Sequence, residues 1–135
     1  MATLDANWGP EDAELGVAVR YVNNSANSVA VTASQYDESQ GSFTLKPGET
    51  MWVYNYTAAG DDLKTKVTIG SSASVAIDGK RPSWGTSWIK VAGNEIQAPT
   101  TTNVTSGTHN FNVKWDGENM HKQDGVDRWT VTINS

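Results

Sequence analysis

The aromatic side chains of this sequence cluster in two short stretches, and they are its clearest candidates for binding a ligand. Together with nearby cations they make one set of candidate lipid- or ligand-binding residues: Trp52, Tyr54, Tyr56, Trp84, Trp88, Lys80, Arg81 and Lys90. Rings with an apolar body and a polar edge, placed beside cations, suit a surface that meets lipid headgroups or a glycan. The sequence therefore predicts binding to a membrane lipid surface or to a glycan.

The sequence contains none of the common catalytic motifs that would point to an enzyme instead. The chain lacks a nucleophile elbow, a zinc-protease helix motif, a phosphate-binding loop and a dinucleotide fingerprint. It also has no cysteine, which excludes thiolate chemistry and disulfides. His109 shares strand parity with Phe111, so we expect a hydrogen-bonded histidine at the core edge. The loop 116–125 lacks the spacing of a calcium site. We predict no enzyme activity, no cofactor and no metal.

Charge is unevenly distributed along the chain, whose net charge is −5. Residues 1–14 hold four carboxylates and no Lys or Arg, and they read as an acidic N-terminal arm before a domain of residues 15–135. The segment 63–92 carries five cations and one carboxylate. Because a protein that binds duplex nucleic acid usually carries a strong overall basic excess, we predict that nucleic acid is not a partner.

Period-2 alternation of apolar and polar residues recurs along the chain and is typical of half-buried strands. It is clearest in residues 15–21, 63–69, 109–115 and 129–133. Turn signals separate these runs, including Pro47-Gly48, Asp78-Gly79 and Asp116-Gly117. About ten short strands, with no helical period, predict a single-domain, all-β antiparallel sandwich.

The strand around Trp52 has two possible orientations. Parity sends Trp52, Tyr54 and Tyr56 to one face and Met51 and Val53 to the other. Aromatic residues fit well in a sheet core, so we expect the rings to face the sandwich interior. The alternative is an outward ladder of rings, with Met51 and Val53 facing inward.

The second aromatic stretch leads from a loop with Pro and Gly into a strand. Trp84 lies in the loop, where it could cover the core end or contact a ligand. If Ile89 and Val91 face inward, Trp88 and Lys90 share the outer face. That parity makes Trp88 a candidate contact residue.

Three local patterns of the sequence occur together: Val-Thr-Ala-Ser-Gln-Tyr-Asp at 31–37 followed by Lys-Pro-Gly-Glu at 46–49, Ser-Trp-Gly-Thr at 83–86, and Trp-Asp-Gly-Glu-Asn at 115–119 with Gly125 and Trp-Thr-Val-Thr at 129–132. In these patterns the chain resembles the aegerolysins, a family of small β-sandwich cytolysins, and more distantly the actinoporin-like sandwiches. The resemblance implies a non-enzymatic protein that recognises membrane lipids and often works with a larger pore-forming partner. Some bacterial relatives are insecticidal.

The same resemblance implies that the protein is secreted or released and acts at a target membrane. The first residues carry neither a basic n-region nor an apolar h-region, so secretion or release would not use a recognisable signal peptide. Trp84, Trp88 and the neighbouring cations are predicted to contact lipid. The rival is a lectin-like module that uses Trp52, Tyr54 and Tyr56 as a stacking platform, and a third alternative is a structural or inhibitory protein.

Overall fold

The computed structural model describes residues 2–5, 16–35, 38–55, 62–82, 86–118 and 126–134. Within these ranges all regular elements are β-strands. In chain order they are β1 (Ala2–Asp5), β2 (Gly16–Asn23), β3 (Val29–Gln35), β4 (Glu38–Leu45), β5 (Thr50–Asn55), β6 (Asp62–Ile69), β7 (Val75–Lys80), β8 (Trp88–Val91), β9 (Asn94–Gln97), β10 (Thr102–Ser106), β11 (His109–Glu118) and β12 (Val126–Ile133). No helix in the described residues is long and apolar enough to cross a membrane.

These strands form two six-stranded sheets that pack face to face, which confirms the predicted all-β sandwich. Sheet A has the order β1-β5-β2-β12-β11-β10, and sheet B has the order β4-β3-β6-β7-β8-β9. Among the described strands, neighbours pair antiparallel throughout sheet B. Sheet A is also antiparallel apart from β12 and β2, which run parallel at its centre.

The hydrophobic core lies between the two sheets and follows the alternation seen in the sequence. Sheet A contributes alternate residues of its central strands, such as Val17, Val19, Phe111, Trp129 and Val131. Sheet B contributes Val29, Val31, Leu63, Val67, Ile77 and Ile89. Because successive side chains point to opposite faces of a sheet, the residues between them face outward. The two outer faces are therefore where a binding surface can lie.

A buried hydrogen-bonded chain joins the two sheets inside the core. The Tyr21 hydroxyl on β2 donates to Thr65 Oγ1 on β6, and Thr65 Oγ1 donates to the Ile77 carbonyl at 2.6 Å. Tyr21 is fully buried, and Thr65 is 2% exposed. The chain satisfies hydroxyls that would otherwise be costly to bury.

The predicted turn signals have different outcomes. Lys46 to Glu49 form a turn: Glu49 N donates to Lys46 O at 3.0 Å, and Gly48 has a φ of 86°. The prediction of a turn at Asp78-Gly79 is wrong, because both residues lie inside β7. Gly79 faces the core, where an added Cβ would come within 3.3 Å of Val17 Cγ2. The glycine there allows close approach of the sheets.

Asp116-Gly117 likewise lies within a strand. The β11–β12 register shifts between Trp115 and Gly117, which marks a β-bulge, and Gly117 takes a φ of 93°. Two strands were not predicted from the sequence. β1 falls in the segment assigned to the acidic arm and pairs with β5 at the edge of sheet A, and β10 pairs with β11 at the opposite edge.

Candidate functional site

The outer face of sheet B brings together three of the predicted binding residues. Lys80 on β7 is the cross-strand partner of Trp88 on β8, and Lys90 follows Trp88 on the same face. Lys90 Nζ lies 4.9 Å from the centroid of the Trp88 ring, within the range of a cation–π contact. Ile89 and Val91 are fully buried, so the predicted parity of β8 is confirmed. We call Lys80, Trp88 and Lys90 the Trp88 patch.

Charges around the Trp88 patch partly compensate one another. Among the side chains that the structure describes, this part of the outer face carries four lysines and two carboxylates: Lys64, Lys66, Lys80, Lys90, Asp78 and Glu95. Four of them are successive register partners across β6 to β9, in the order Lys64, Asp78, Lys90 and Glu95. Opposite charges at facing positions stabilise a sheet. The face therefore remains cationic, but less strongly than the sequence segment suggested.

Arg81 does not join the Trp88 patch. Its Nε lies 3.8 Å from Asp127 Oδ2, and this ion pair links the end of β7 in sheet B to β12 in sheet A. The Asp127 side chain is 8% exposed and that of Arg81 is 20% exposed. Ser87 lies in the same region, where its hydroxyl donates to the Lys80 carbonyl at 3.1 Å. Arg81 thus takes part in holding the sheets together at this end.

Trp52 and Tyr54 lie on the outer face of sheet A, so the expectation that they face the sandwich interior is wrong. They form a small cluster with Ala18, separate from the main core, whereas Val53 is fully buried in that core. Register explains the orientation, because Val53 pairs with Val19 and Trp52 pairs with Arg20. Yet neither ring is an open platform, since Trp52 is 9% exposed and Tyr54 is 7% exposed.

A row of polar contacts continues from Trp52 across the outer face of sheet A. The Arg20 guanidinium carbon lies 5.3 Å from the Trp52 ring centroid, and Arg20 Nε donates to Thr130 Oγ1 at 3.3 Å. The Thr130 hydroxyl donates to Asp116 Oδ2. Lys114 Nζ lies 3.8 Å from Asp116 Oδ1. The row joins an aromatic pair to groups that could hydrogen-bond a polar ligand.

Only part of this row could be predicted from the sequence. Alternation placed Arg20 outward, but strand parity does not reveal that β12 lies beside β2 and brings Thr130 to it. Two of the predicted binding residues, Tyr56 and Trp84, lie outside the described residues. The structure therefore brings together Lys80, Trp88 and Lys90 and places Trp52 and Tyr54 on the opposite sheet.

His109 lies at the core edge with the parity predicted for it. However, its Nδ1 is buried and has no hydrogen-bond partner among the described residues, which differs from the expectation of a satisfied histidine. The residue lines a cleft of about 360 Å³ between the turns that follow β6 and β10. Ser72, Ser106 and Thr108 also line the cleft.

No protein-family model matches the chain. A search of curated proteins also finds no match.

Proposed function

We propose that this protein binds membrane lipid surfaces through the outer face of sheet B. The observation that carries the proposal is the Trp88 patch, where one partly exposed indole stands between two lysines on the face of a sheet. Tryptophan is favoured at the boundary between headgroups and acyl chains because its ring is apolar and its N–H is polar. Lysine can lay its apolar stem along such a surface and direct its ammonium to phosphate.

The expected affinity is modest and depends on salt. A lysine near an anionic leaflet contributes about 1 kcal/mol, and this attraction falls off within a Debye length of ~10 Å at 0.1 M salt. The outer face of sheet B holds only two more lysines than carboxylates among Lys64, Lys66, Asp78, Lys80, Lys90 and Glu95. The ring of Trp88 must therefore supply a large share of the binding free energy.

Liposome co-sedimentation tests this proposal. We expect Trp88→Ala to reduce binding to vesicles of phosphatidylcholine and phosphatidylserine strongly, and Lys90→Ala to weaken it mainly at low salt. Lys46→Ala is the matched control, because it removes one exposed cation at the turn after β4, away from the patch. Undiminished binding by Trp88→Ala, with an unchanged melting temperature, would rule out the Trp88 patch as the contact site.

We further propose that the lipid-bound protein is a secreted or released component of a cytolytic or insecticidal pore-forming system, with a larger protein forming the pore. Support comes from strand length, since a transmembrane strand needs ~9–11 residues. Of the described strands only β11 reaches this length, and it carries Lys114 and Asp116 on its outer face. A sandwich with such short strands is better suited to recognising a membrane than to forming a membrane-spanning hairpin.

A second candidate function is glycan binding on the outer face of sheet A. The observation in its favour is the row from Trp52 through Arg20 and Thr130 to Asp116, which places hydrogen-bonding groups beside aromatic rings. Binding sites for polar ligands combine such groups. The small exposed fraction of Trp52 and Tyr54 leaves little ring for a sugar to stack on, which favours the lipid proposal.

A glycan array with the full chain distinguishes the two functions. Glycan binding that is lost in Thr130→Val and kept in Trp88→Ala would support the sheet A site. The lipid proposal predicts the opposite dependence in vesicle binding. Each variant thereby serves as the control for the other surface.

A further inference from the structure

The edges of the two sheets differ in how well they are protected against pairing with another strand. Among the described strands, the edges are β1 and β10 in sheet A and β4 and β9 in sheet B. An edge strand presents unpaired N–H and C=O groups, and proteins usually limit this hazard with short strands, charges, prolines or bulges. An edge without such devices is a candidate interaction surface.

Three of the four edges carry these devices. β1 has four residues and ends in the charged Asp5. β9 also has four residues, contains Glu95 in an ion pair with Lys90, and is followed closely by Pro99. The longer β4 contains a bulge where its register with β3 shifts, and its Gly41 has a φ of 143°. Each of these features opposes regular pairing with an incoming strand.

β10, with five residues, is almost as short as β1 and β9 but lacks the other devices. It pairs regularly with β11 from Thr102 opposite Val113 to Ser106 opposite His109, with no register shift. Its sequence Thr-Asn-Val-Thr-Ser has no charge, no proline and no glycine. The uncharged stretch is long, since no Asp, Glu, Lys or Arg occurs in residues 96–113. Asn103 and Thr105 are exposed, and Val104 is buried against the core.

Backbone geometry shows which groups of β10 face outward from the sheet. The β10–β11 turn has two residues, so Ser106 and His109 form a hydrogen-bonded pair and the neighbouring pair of Thr105 and Asn110 does not. The Asn110 carbonyl accordingly accepts from Asn134 N, on the side away from β10, at 2.9 Å. The N–H and C=O groups of Thr105, and by the same alternation those of Asn103, point away from β11, where no other described strand pairs with them.

We propose that a second copy of this chain pairs with β10 to form an antiparallel dimer that continues sheet A. In a pairing centred on Val104, Asn103 faces the partner's Thr105, and each such pair exchanges both N–H···O bonds. The twofold arrangement makes the same patch serve both copies. The occupant is a second copy because the chain carries a net charge of −5, and this uncharged edge lets two copies meet without opposing like charges.

Sedimentation velocity of the full chain, from micromolar to near-millimolar concentration, tests the proposal. We expect the wild-type protein to dimerise as its concentration rises. Thr105→Pro removes one outward N–H while leaving the β10–β11 hydrogen bonds in place, so this variant is expected to stay monomeric. Glu95→Pro is the matched control, because it removes the equivalent outward N–H of β9, and it should dimerise like the wild type.

A charge-swap pair keeps the test decisive if Thr105→Pro does not fold. The double variant N103K/T105K sets like charges opposite each other in the dimer and should be monomeric, as should N103E/T105E. Mixing the two variants should restore a dimer, because opposite charges then face each other. A wild-type protein that stays monomeric at all concentrations would overturn the proposal, and so would a dimer that persists in both double variants.

Discussion

The burial of Tyr21 makes the free energy of unfolding depend on pH. Its hydroxyl lies in the core and donates to Thr65 Oγ1, and burial raises the pKa of Tyr21 far above its ordinary value of 10.0. The hydrogen bond to Thr65 opposes this rise, and the negative charge of Asp78 adds to it. The folded protein therefore retains the phenolic proton at a pH where the unfolded chain loses it.

The first prediction is a loss of stability in alkali that depends on Tyr21. Below about pH 10 the phenol is protonated in both states, so it gives the free energy of unfolding no pH dependence. Above that pH only the unfolded chain releases the proton, and stability should fall by about 1.4 kcal/mol per pH unit from this group. Urea unfolding at pH 8 to 11 measures the slope.

Tyr21→Phe provides the comparison for that slope. The variant should lose about 1 kcal/mol at neutral pH, because one buried hydrogen bond is removed. Its stability should then decline less steeply above pH 10 than that of the wild type. Parallel curves for the two proteins would mean that Tyr21 ionises as readily in the fold as in the unfolded chain.

At the scale of the strand, sequence alternation predicted which elements form but left some orientations undetermined. β2 has one apolar and one mixed face, so its parity was clear. β5 is apolar on both faces, since Met51 and Val53 alternate with Trp52 and Tyr54. Its orientation follows from pairing with β2, which places Val53 opposite Val19 in the core. Such a long-range register is not visible in the residues of β5 alone.

Glycines posed a similar difficulty for prediction. Gly48 and Gly79 both follow residues common in turns, but Gly48 lies in a turn and Gly79 lies within β7. The distinction depends on Val17 of the opposite sheet, which would have to shift to accommodate a Cβ at position 79. Long-range structure also separates the candidate binding residues, because sheet order places Trp52 and Trp88 on different outer faces.

The second prediction contrasts these two tryptophans. Trp52→Ala should lower the free energy of unfolding by roughly 3 kcal/mol, because the ring is almost fully covered and contacts Arg20. Trp88→Ala should cost about 0.5–1 kcal/mol, since its ring is partly exposed. Chemical denaturation of both variants measures the difference. A large loss for Trp88→Ala would identify that ring as structural and weaken the lipid proposal.

At the scale of the molecule, the two outer faces have different chemistry. Sheet B presents an indole between lysines, and sheet A presents covered rings beside a row of paired polar groups. A membrane would contact one face and leave the other available to a protein partner. In the lipid proposal, the protein would then act as a recognition component and would not insert by itself.

The third prediction is binding without rupture. At saturating binding, the purified protein should release little dye from vesicles of phosphatidylcholine and phosphatidylserine, because the described strands provide no long apolar hairpin to cross the bilayer. Fluorescence dequenching measures the release, with detergent giving the full signal and Trp88→Ala as the non-binding control. Rapid and complete release by this chain alone would contradict the two-component proposal.

The central position of β12 in sheet A determines when, during synthesis, this sheet can be completed. β12 lies between β2 and β11, yet it follows every other described strand in the chain. While a ribosome is still synthesising residues 126–133, sheet A lacks a central strand, and β2 and β11 each have an unpaired side. Final assembly of the sandwich must therefore wait for this strand to leave the exit tunnel, and until then the nascent chain is a substrate for chaperones and proteases.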